Sequence, residues 1–335
     1  MTRLIRSIAA ATLGAALELA FALVLATAAQ GARAQAAVGD RFGDKLIQLG
    51  AGPPGGSFLP ISTTLCEALN ARRRVELVRC VPLSSAGSVF NIHAVANGTL
   101  QMGLAQEDLV ARYAGEQQDG GGRALRTVAL LHPTPIAVMV RRAAGIGELA
   151  GLRRGVVNKG FRGSGIHANS TLLLDALGIA EGELKGVTFL PPEEFEPAFC
   201  EGRIDVVIDA LAQPSALFGR LRACGGEFLD IGPEVMARML ARNPLLRPMQ
   251  IEAGLYDAQQ RAVSTLGVRT LLFTSEAVDE EAVYRVARQL LRGFDALVAQ
   301  QPYLAGARAL RPQDVGTLAV PLHRGAARAL QELAR

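Results

Sequence analysis

The sequence predicts an α/β chain folded as two lobes of similar plan. Three observations carry that expectation. Strand-like apolar runs alternate with amphipathic helical segments along most of the chain. The 335 residues suit about two domains at ~150 residues each. A motif also recurs: Gly52-Pro53-Pro54-Gly55-Gly56 aligns with Gly160-Phe161-Arg162-Gly163-Ser164 at an offset of 108. The same offset carries Glu67-Ala68-Leu69-Asn70 onto Asp175-Ala176-Leu177-Gly178. At an offset of 104, Asn97–Leu104 matches Glu201–Ile208. The first pair reads as strand, Gly-rich turn and amphipathic helix. The second reads as a turn feeding a buried strand.

The elements follow in order. Leu46–Leu49 is a strand, and the helix after it buries Ile61, Leu65 and Leu69 at i, i+4, i+8. Val75–Val81 is a strand, followed by a Pro82–Ser88 turn and a helix to about Ala96. Thr127–Leu131 and Ile136–Val140 read as strands around His132-Pro133-Thr134-Pro135. Two prolines so close favour an extended crossing between lobes over a helix. Gly155–Asn158 opens the second copy of the motif, and the chain is expected to return near Met249–Tyr256. Val268–Thr274 is then a strand, and Ala282–Gln300 a long helix with Val283, Val286, Leu290 and Leu291 on one face. A segment from Val315 to His323 and a final helix close the chain.

The N-terminus follows a different logic. Arg3 and Arg6 precede an apolar, Ala-rich run from Ile8 to Ala29, and two A-x-A sites follow at Ala32–Ala34 and Ala34–Ala36. That order is the order of a secretory signal peptide. A transmembrane anchor is the alternative, since the run is long enough to span. Glu18 in its middle is costly in lipid, and the A-x-A exits favour cleavage near Ala34 to Ala36. Removal of residues 1–36 leaves 32 basic and 30 acidic residues, a net charge of +2. The expected division is residues 1–36 as signal peptide, 37–137 with 255–335 as the first lobe, and 138–254 as the second.

Composition excludes several classes. Half the residues are apolar and a fifth charged, which argues against disorder. The full-chain charge is only +4. Basic residues occur in pairs and one triplet, Arg72-Arg73-Arg74, without interleaved aromatics, so no nucleic-acid partner is expected. Export permits disulfides. The four Cys allow three pairings. Two local bridges, Cys66–Cys80 and Cys200–Cys224, are the simplest, each worth about 3 kcal/mol by loop closure. No C-x-x-C exists, and His93, His132, His167 and His323 are scattered, which argues against zinc. No metal or cofactor is expected.

In parallel α/β sheets, ligands bind beyond the carboxyl ends of strands. Three such ends carry Gly/Ser turns that open helices: Gly55-Gly56-Ser57, Ala86-Gly87-Ser88 and Gly163-Ser164-Gly165. Each offers free backbone N–H groups and the positive end of a helix dipole to a carboxylate or phosphate. Ordinary Ser capping is the better explanation of any one of them, but three at comparable places favour a binding cleft. Gly50–Gly55 also fits the dinucleotide fingerprint, yet Pro53 and Pro54 remove the N–H groups a pyrophosphate needs. Hydrolase motifs are missing: no G-x-S-x-G, S-x-x-K or H-E-x-x-H occurs. Ser164 and His167 form a weak candidate dyad. Asp205 and Asp209, at i and i+4 of an apparent strand, are a candidate acid pair, with one of them expected to end the strand or cap a helix. Gln106 and Asp108 could accept hydrogen bonds from a ligand, or Asp108 could cap a helix.

Several segments together resemble the solute-binding receptors of TRAP transporters, specifically the TAXI family. They are Gly50–Phe58, Ser85–Ile92 with Asn97-Gly98, Gln106-Glu107-Asp108, Gly163-Ser164-Gly165, Gly202-Arg203-Ile204-Asp205 and Pro321–Ala326. The resemblance spans about residues 46–330. It implies a type II periplasmic-binding-protein fold, two α/β lobes joined by a hinge with a ligand cleft between them. It implies no catalysis, capture of a small carboxylate of the amino acid or dicarboxylate class, and delivery to TRAP membrane subunits by a monomeric periplasmic protein. The four Cys positions also resemble paired positions in family members. The residues expected at the ligand are Gly56, Ser57, Phe58, Ser88, Asn91, Gln106 and Asp108 from the first lobe. Arg162, Ser164, Gly165, His167 and Gln213 are expected from the second. The sequence departs from the family at Phe58-Leu59, Glu107, Ile166 and Ala212-Gln213-Pro214. These changes remove hydroxyls and an imidazole, and imply a less polar ligand or one held by Arg162 and His167. An exported enzyme on the same scaffold and a sensor feeding a membrane histidine kinase are the alternatives.

Overall fold

The computed structural model describes residues 45–116 and 123–334. The expected signal peptide, 1–36, lies outside them. Among the described residues no helix is long and apolar enough to cross a membrane.

The chain runs β1 (Lys45–Gly50), α1 (Phe58–Ala71), β2 (Val78–Leu83), α2 (Ser88–Ala96), β3 (Met102–Gln106), α3 (Glu107–Glu116) and β4 (Leu125–Arg141). It continues with β5 (Val156–Asn158), α4 (Gly165–Leu177), β6 (Gly186–Thr188), α5 (Pro192–Cys200), β7 (Val206–Ala210) and α6 (Ala216–Ala223). After these come β8 (Gly226–Leu229), α7 (Pro233–Arg242), β9 (Arg247–Ile251), β10 (Val263–Ser275), α8 (Glu280–Gln300) and α9 (Arg324–Leu333).

The strand order is β2-β1-β3-β10-β4-β7-β5-β6, with β8 beside β4 and β9 beside β10. Each end of the sheet repeats one plan. β1 lies parallel to β3, and β5 lies parallel to β7. β3 then pairs antiparallel with β10, and β7 antiparallel with β4. The repeated sequence motif sits at equivalent places: 52–56 joins β1 to α1, and 160–164 joins β5 to α4. The fold is thus mixed α/β with two halves of similar design.

The long strands β4 and β10 belong to both halves. The two expected strands around Pro133 and Pro135 are one 17-residue strand. Pro133 pairs with Arg269 and Pro135 with Gly267, next to a register shift between Arg269 and Leu271. Prolines cannot donate to a ladder, and this irregular crossing tolerates them. β10 first pairs with β9 over Val263–Gly267 and then with β3 over Thr270–Thr274.

Both faces of each half are covered, so the strands are apolar on both sides. In β4, Ile136, Val138 and Val140 pack with Leu173 and Leu174 of α4. The intervening Ala137 and Met139 pack with Phe195 and Phe199 of α5. In the first half, Ile61 and Leu65 meet Val283, Val286 and Leu290 of α8. Each such fully buried side chain contributes roughly 1.5–3 kcal/mol.

One expected strand begins late. Arg73–Glu76 form a helical turn that takes in the first two residues of the predicted Val75–Val81, and Leu77 adopts a left-handed φ of 51° before β2 starts. The cause is tertiary. Arg288 of α8 bonds Glu76 Oε2 at 2.6 Å, and Arg285 donates to the Glu76 carbonyl at 2.8 Å. Toward the C-terminus, Pro312–Thr317 is a 3-10 turn. The strand-like pairing there is a single bridge between Leu322 and Thr127. The cysteines form Cys66–Cys80 and Cys200–Cys224, with Cα separations of 4.9 and 5.2 Å.

Candidate functional site

The repeated strand–turn–helix plan aims several helix starts at one place. A cavity of about 50 Å3 is lined by Gly56, Ser57 and Phe58 at the start of α1, and by Gly87 and Ser88 at the start of α2. Ser164, Gly165 and Ile166 enter from the start of α4, and Pro192 from the start of α5. Gln106, at the end of β3, and Asp209, Ala210 and Leu211, at the end of β7, complete the wall with Pro53, Ala86 and Phe161. The cavity therefore lies at the carboxyl ends of strands from both halves, where α/β sheets bind ligands.

Whether the serines merely cap helices is settled one by one. Ser164 is a cap: its Oγ accepts from His167 N at 3.1 Å and donates to the Phe161 carbonyl at 2.7 Å. Ser57 precedes α1 with helical backbone angles and makes no side-chain cap bond. The residue before α2 is Gly87, which has no side chain to cap with, and Ser88 Oγ accepts from Gln106 N at 3.3 Å. The first turns of α1 and α2 thus keep uncapped N–H groups beside the cavity. Such groups, with the helix dipole behind them, favour an anion. No Lys or Arg is among the lining residues.

The cavity is closed by side chains that meet across it. Asn169 of α4 donates to Gln106 Oε1 at 3.3 Å. A Cβ on Gly165 would stand 3.1 Å from Gln106 Nε2 and 3.2 Å from Ser88 Oγ, so any larger residue would make those side chains give way by a few tenths of an ångström. Further out, Asn243 donates to Asp108 Oδ2 at 2.7 Å. Burial pushes the Asp108 carboxyl above its usual range, and the Asn243 bond opposes that.

Seven of the twelve expected ligand residues line the cavity: Gly56, Ser57, Phe58, Ser88, Gln106, Ser164 and Gly165. The other five stand outside the lining. Asn91 is fully buried behind it, and its Nδ2 donates to the carbonyls of Gly50, Ala51 and Leu104 at 3.1, 2.6 and 2.8 Å. It ties together β1, α2 and β3. Asp108 serves the bond to Asn243. Arg162 stacks over the Phe189 ring at 4.2 Å. His167 also faces Phe189, with ring centroids 5.8 Å apart. Burial, then the nearby Lys159 and Arg162 charges, lower the His167 pKa. Gln213 accepts from the Tyr256 hydroxyl and donates to the Leu211 carbonyl at 3.1 Å, fixing the loop after β7. Glu107, a departure from the family, is fully buried and pairs bidentately with Arg269 at 2.6 Å on each oxygen.

Asp205 and Asp209 are not an acid pair. Four residues along a strand separate them by about 13 Å. Asp205 precedes β7, and there it binds Arg141 at 2.6 Å and Val156 N at 3.0 Å. Asp209 lies at the other end, in the cavity wall. It is 2% exposed, its Oδ2 has no hydrogen-bond partner, and burial pushes its pKa up to about 7. The sequence signal for it was an acid one residue from the end of a buried apolar strand, Val206-Val207-Ile208-Asp209-Ala210. Among the described residues no group of three or more His, Cys, Asp or Glu could hold a metal ion.

Comparison with known proteins agrees with this architecture. MatC from Rhodopseudomonas palustris, solved with bound malate, aligns at TM-score 0.53 and 18% identity, over 87% of this chain and 97% of its own. The periplasmic binding protein BugD aligns at 0.53 and 13% identity, over 86% and 94%. A protein of Bordetella bronchiseptica RB50 aligns at 0.56 and 13% identity, over 87% and 98%. At these identities the likeness is one of fold, the two-lobed α/β fold of periplasmic binding proteins. The family model described as the NMT1-like family matches residues 49–333, which is nearly all of the described chain, and the chain belongs to that family.

Proposed function

We propose that this chain is the extracytoplasmic solute receptor of a TAXI-type TRAP transporter. It captures a small carboxylate between its lobes and delivers it to the membrane subunits. One observation carries the reading: uncapped first turns of α1 and α2 open beside one cavity without a lining Lys or Arg. That arrangement favours a compact anion held by backbone N–H groups. MatC, of the same fold, was solved with malate. Capture is a population shift, in which ligand favours the closed form through contacts made only there.

The lobes are proposed as 37–137 with 255–335, and 138–254. The packing of Tyr256, Val263 and Leu266 with second-half residues supports moving the return toward Gly267. The receptor does no chemistry in this reading. Ser164 accepts from the His167 backbone N–H, and no bond joins it to the imidazole. The mature protein is proposed to be a periplasmic monomer, released by cleavage near Ala34 to Ala36.

Native mass spectrometry of the protein from its own host's periplasm tests the reading. A monomer mass carrying a small acid that leaves on unfolding supports it. If a panel of mono- and dicarboxylates gives neither a mass shift nor a rise in melting temperature, the carboxylate receptor is rejected.

A further inference from the structure

A receptor for acids has no evident use for a buried carboxyl in its own cavity wall, yet Asp209 stands there. Its neighbour on the same strand shows what a structural aspartate looks like in this protein. Both oxygens of Asp205 are engaged, one by Arg141 and one by Val156 N. Asp209 is equally buried, but it receives only the backbone N–H of Ala210, and its Oδ2 is unpartnered. A buried polar group without a partner is costly, and a charged one more so.

Among the described residues no cation meets it. No Lys or Arg lines the cavity. Nearby cations are committed elsewhere. Lys159 Nζ lies 2.5 Å from Glu181, and Arg162 rests on Phe189. Arg141 is taken by Asp205 at the far end of the strand. The cavity thus leaves Asp209 Oδ2 open to a partner brought by the ligand.

We propose that Asp209 anchors a protonated amine, so that the ligand of this cavity is a compact zwitterion. Its carboxylate meets the N–H groups opening α1 and α2, and its ammonium bonds Asp209 Oδ2. This rests on the acid-receptor reading above and narrows it, from small acids in general to acids that carry an amine. The two poles of the cavity then match the two poles of the ligand. A dicarboxylate would instead bring a second carboxylate against Asp209, and the two could coexist only by sharing a proton.

Calorimetry and thermal shift on the periplasmic protein, dialysed free of ligand, test this with matched pairs that differ only in the amine. The pairs are L-aspartate with succinate, L-glutamate with glutarate, and L-alanine with propionate. At least one amino acid is expected to bind at least tenfold more tightly than its deaminated partner. Asp209→Asn is expected to erase that preference. The fold of this variant is checked by its circular dichroism and unliganded melting temperature, and the wild-type comparison stands without it. If a deaminated acid binds as tightly as its amino acid, or better, the role of Asp209 is overturned while the acid receptor stands. If Asp209→Asn folds and keeps the full preference, the role is likewise overturned. If no member of any pair binds, both readings fall together.

Discussion

Asn243 donates its side-chain amide to Asp108 Oδ2 at 2.7 Å, tying the residue that ends α7 to the first turn of α3 across 135 residues of sequence. Like the Asn169–Gln106 bond at 3.3 Å, it is a side-chain tie between elements on opposite sides of the cavity. Neither needs a ligand, so both bias the unliganded protein toward closure. Asn243→Ala removes one tie worth about 1 kcal/mol. The expected result is a larger radius of gyration in small-angle scattering without ligand. Ligand affinity should also fall roughly fivefold, since ~1.4 kcal/mol is tenfold. Unchanged scattering and affinity would show that the tie does not govern closure.

Gly165 lets α4 approach the first lobe, because a Cβ there would lie 3.1 Å from Gln106 Nε2 and 3.2 Å from Ser88 Oγ. The approach is made across the cavity, with Gln106 and Ser88 on one side and α4 on the other. Gly165→Ala is therefore expected to weaken ligand binding by about tenfold while shifting the unliganded melting temperature little. Gly165→Val should do more. A loss of melting temperature that matches the loss of affinity would place the defect within α4 instead.

Buried Glu107 and half-buried Arg269 form a bidentate pair that joins α3 to β10, and Arg269 also donates to the Thr317 carbonyl at 2.7 Å. Removing Glu107 leaves the Arg269 guanidinium, 18% exposed, without its carboxylate, and its access to water and to Thr317 keeps the cost to about 1–3 kcal/mol, below that of a fully buried charge. Glu107→Ala should lower stability by that amount in urea titration. Glu107→Gln, which keeps the shape and some hydrogen bonds, should cost less. Equal effects from both variants would mean that packing, not charge, sets the value.

The two bridges close loops of 14 and 24 residues. Loop closure assigns each about 3 kcal/mol, the longer slightly more. Replacing Cys200 and Cys224 together by Ser should lower the unfolding free energy by that amount in oxidising buffer. Added reductant should then have a smaller effect than on the wild type. A full-sized further drop on reduction would assign most of the stabilisation to Cys66–Cys80.

The halves of the fold were legible because their signals are local. Gly-rich turns stand between a strand and a helix in each copy, and the structure puts both at the carboxyl ends of parallel strands. Seven cavity residues were legible for the same reason, since they open helices or end strands. What escaped depends on side chains brought from far away. Asn91 has the amide expected of a ligand contact, but it spends that amide on three backbone carbonyls. Arg162 carries the right charge, but its guanidinium stacks on Phe189, and the His167 ring, its pKa lowered by burial and by the Lys159 and Arg162 charges, faces the same phenyl. Asp205 and Asp209 look alike in sequence, and only the cavity distinguishes the paired acid from the unpaired one. The helical turn at 73–76 is set by Arg285 and Arg288, more than 200 residues downstream.

Asp209 also makes a prediction about pH that needs no ligand, because His132 opposes it. Burial pushes His132 down to about 3, against roughly 6.5 when unfolded. Below about pH 6.5 the unfolded chain takes up a proton at His132 that the folded chain refuses, so stability falls as pH drops. Asp209 works in reverse. Its folded pKa of about 7 exceeds the unfolded value of roughly 3.9. The folded chain holds a proton there that the unfolded chain releases, so stability falls as pH rises toward 7. Between about pH 4 and 6.5 the two slopes nearly cancel, each being close to 1.4 kcal/mol per pH unit. Asp209→Asn removes one of them. Relative to wild type, its stability should therefore climb with pH by about that slope across this window. His132→Gln should show the opposite slope relative to wild type. Other shifted groups, among them Asp108, His167 and His323, are common to all three proteins and drop out of the differences. Urea titrations at three pH values would decide it. Parallel curves for the three proteins would mean that Asp209 is ionised in the unliganded fold. Its charge would then be met by something other than the partners it has here.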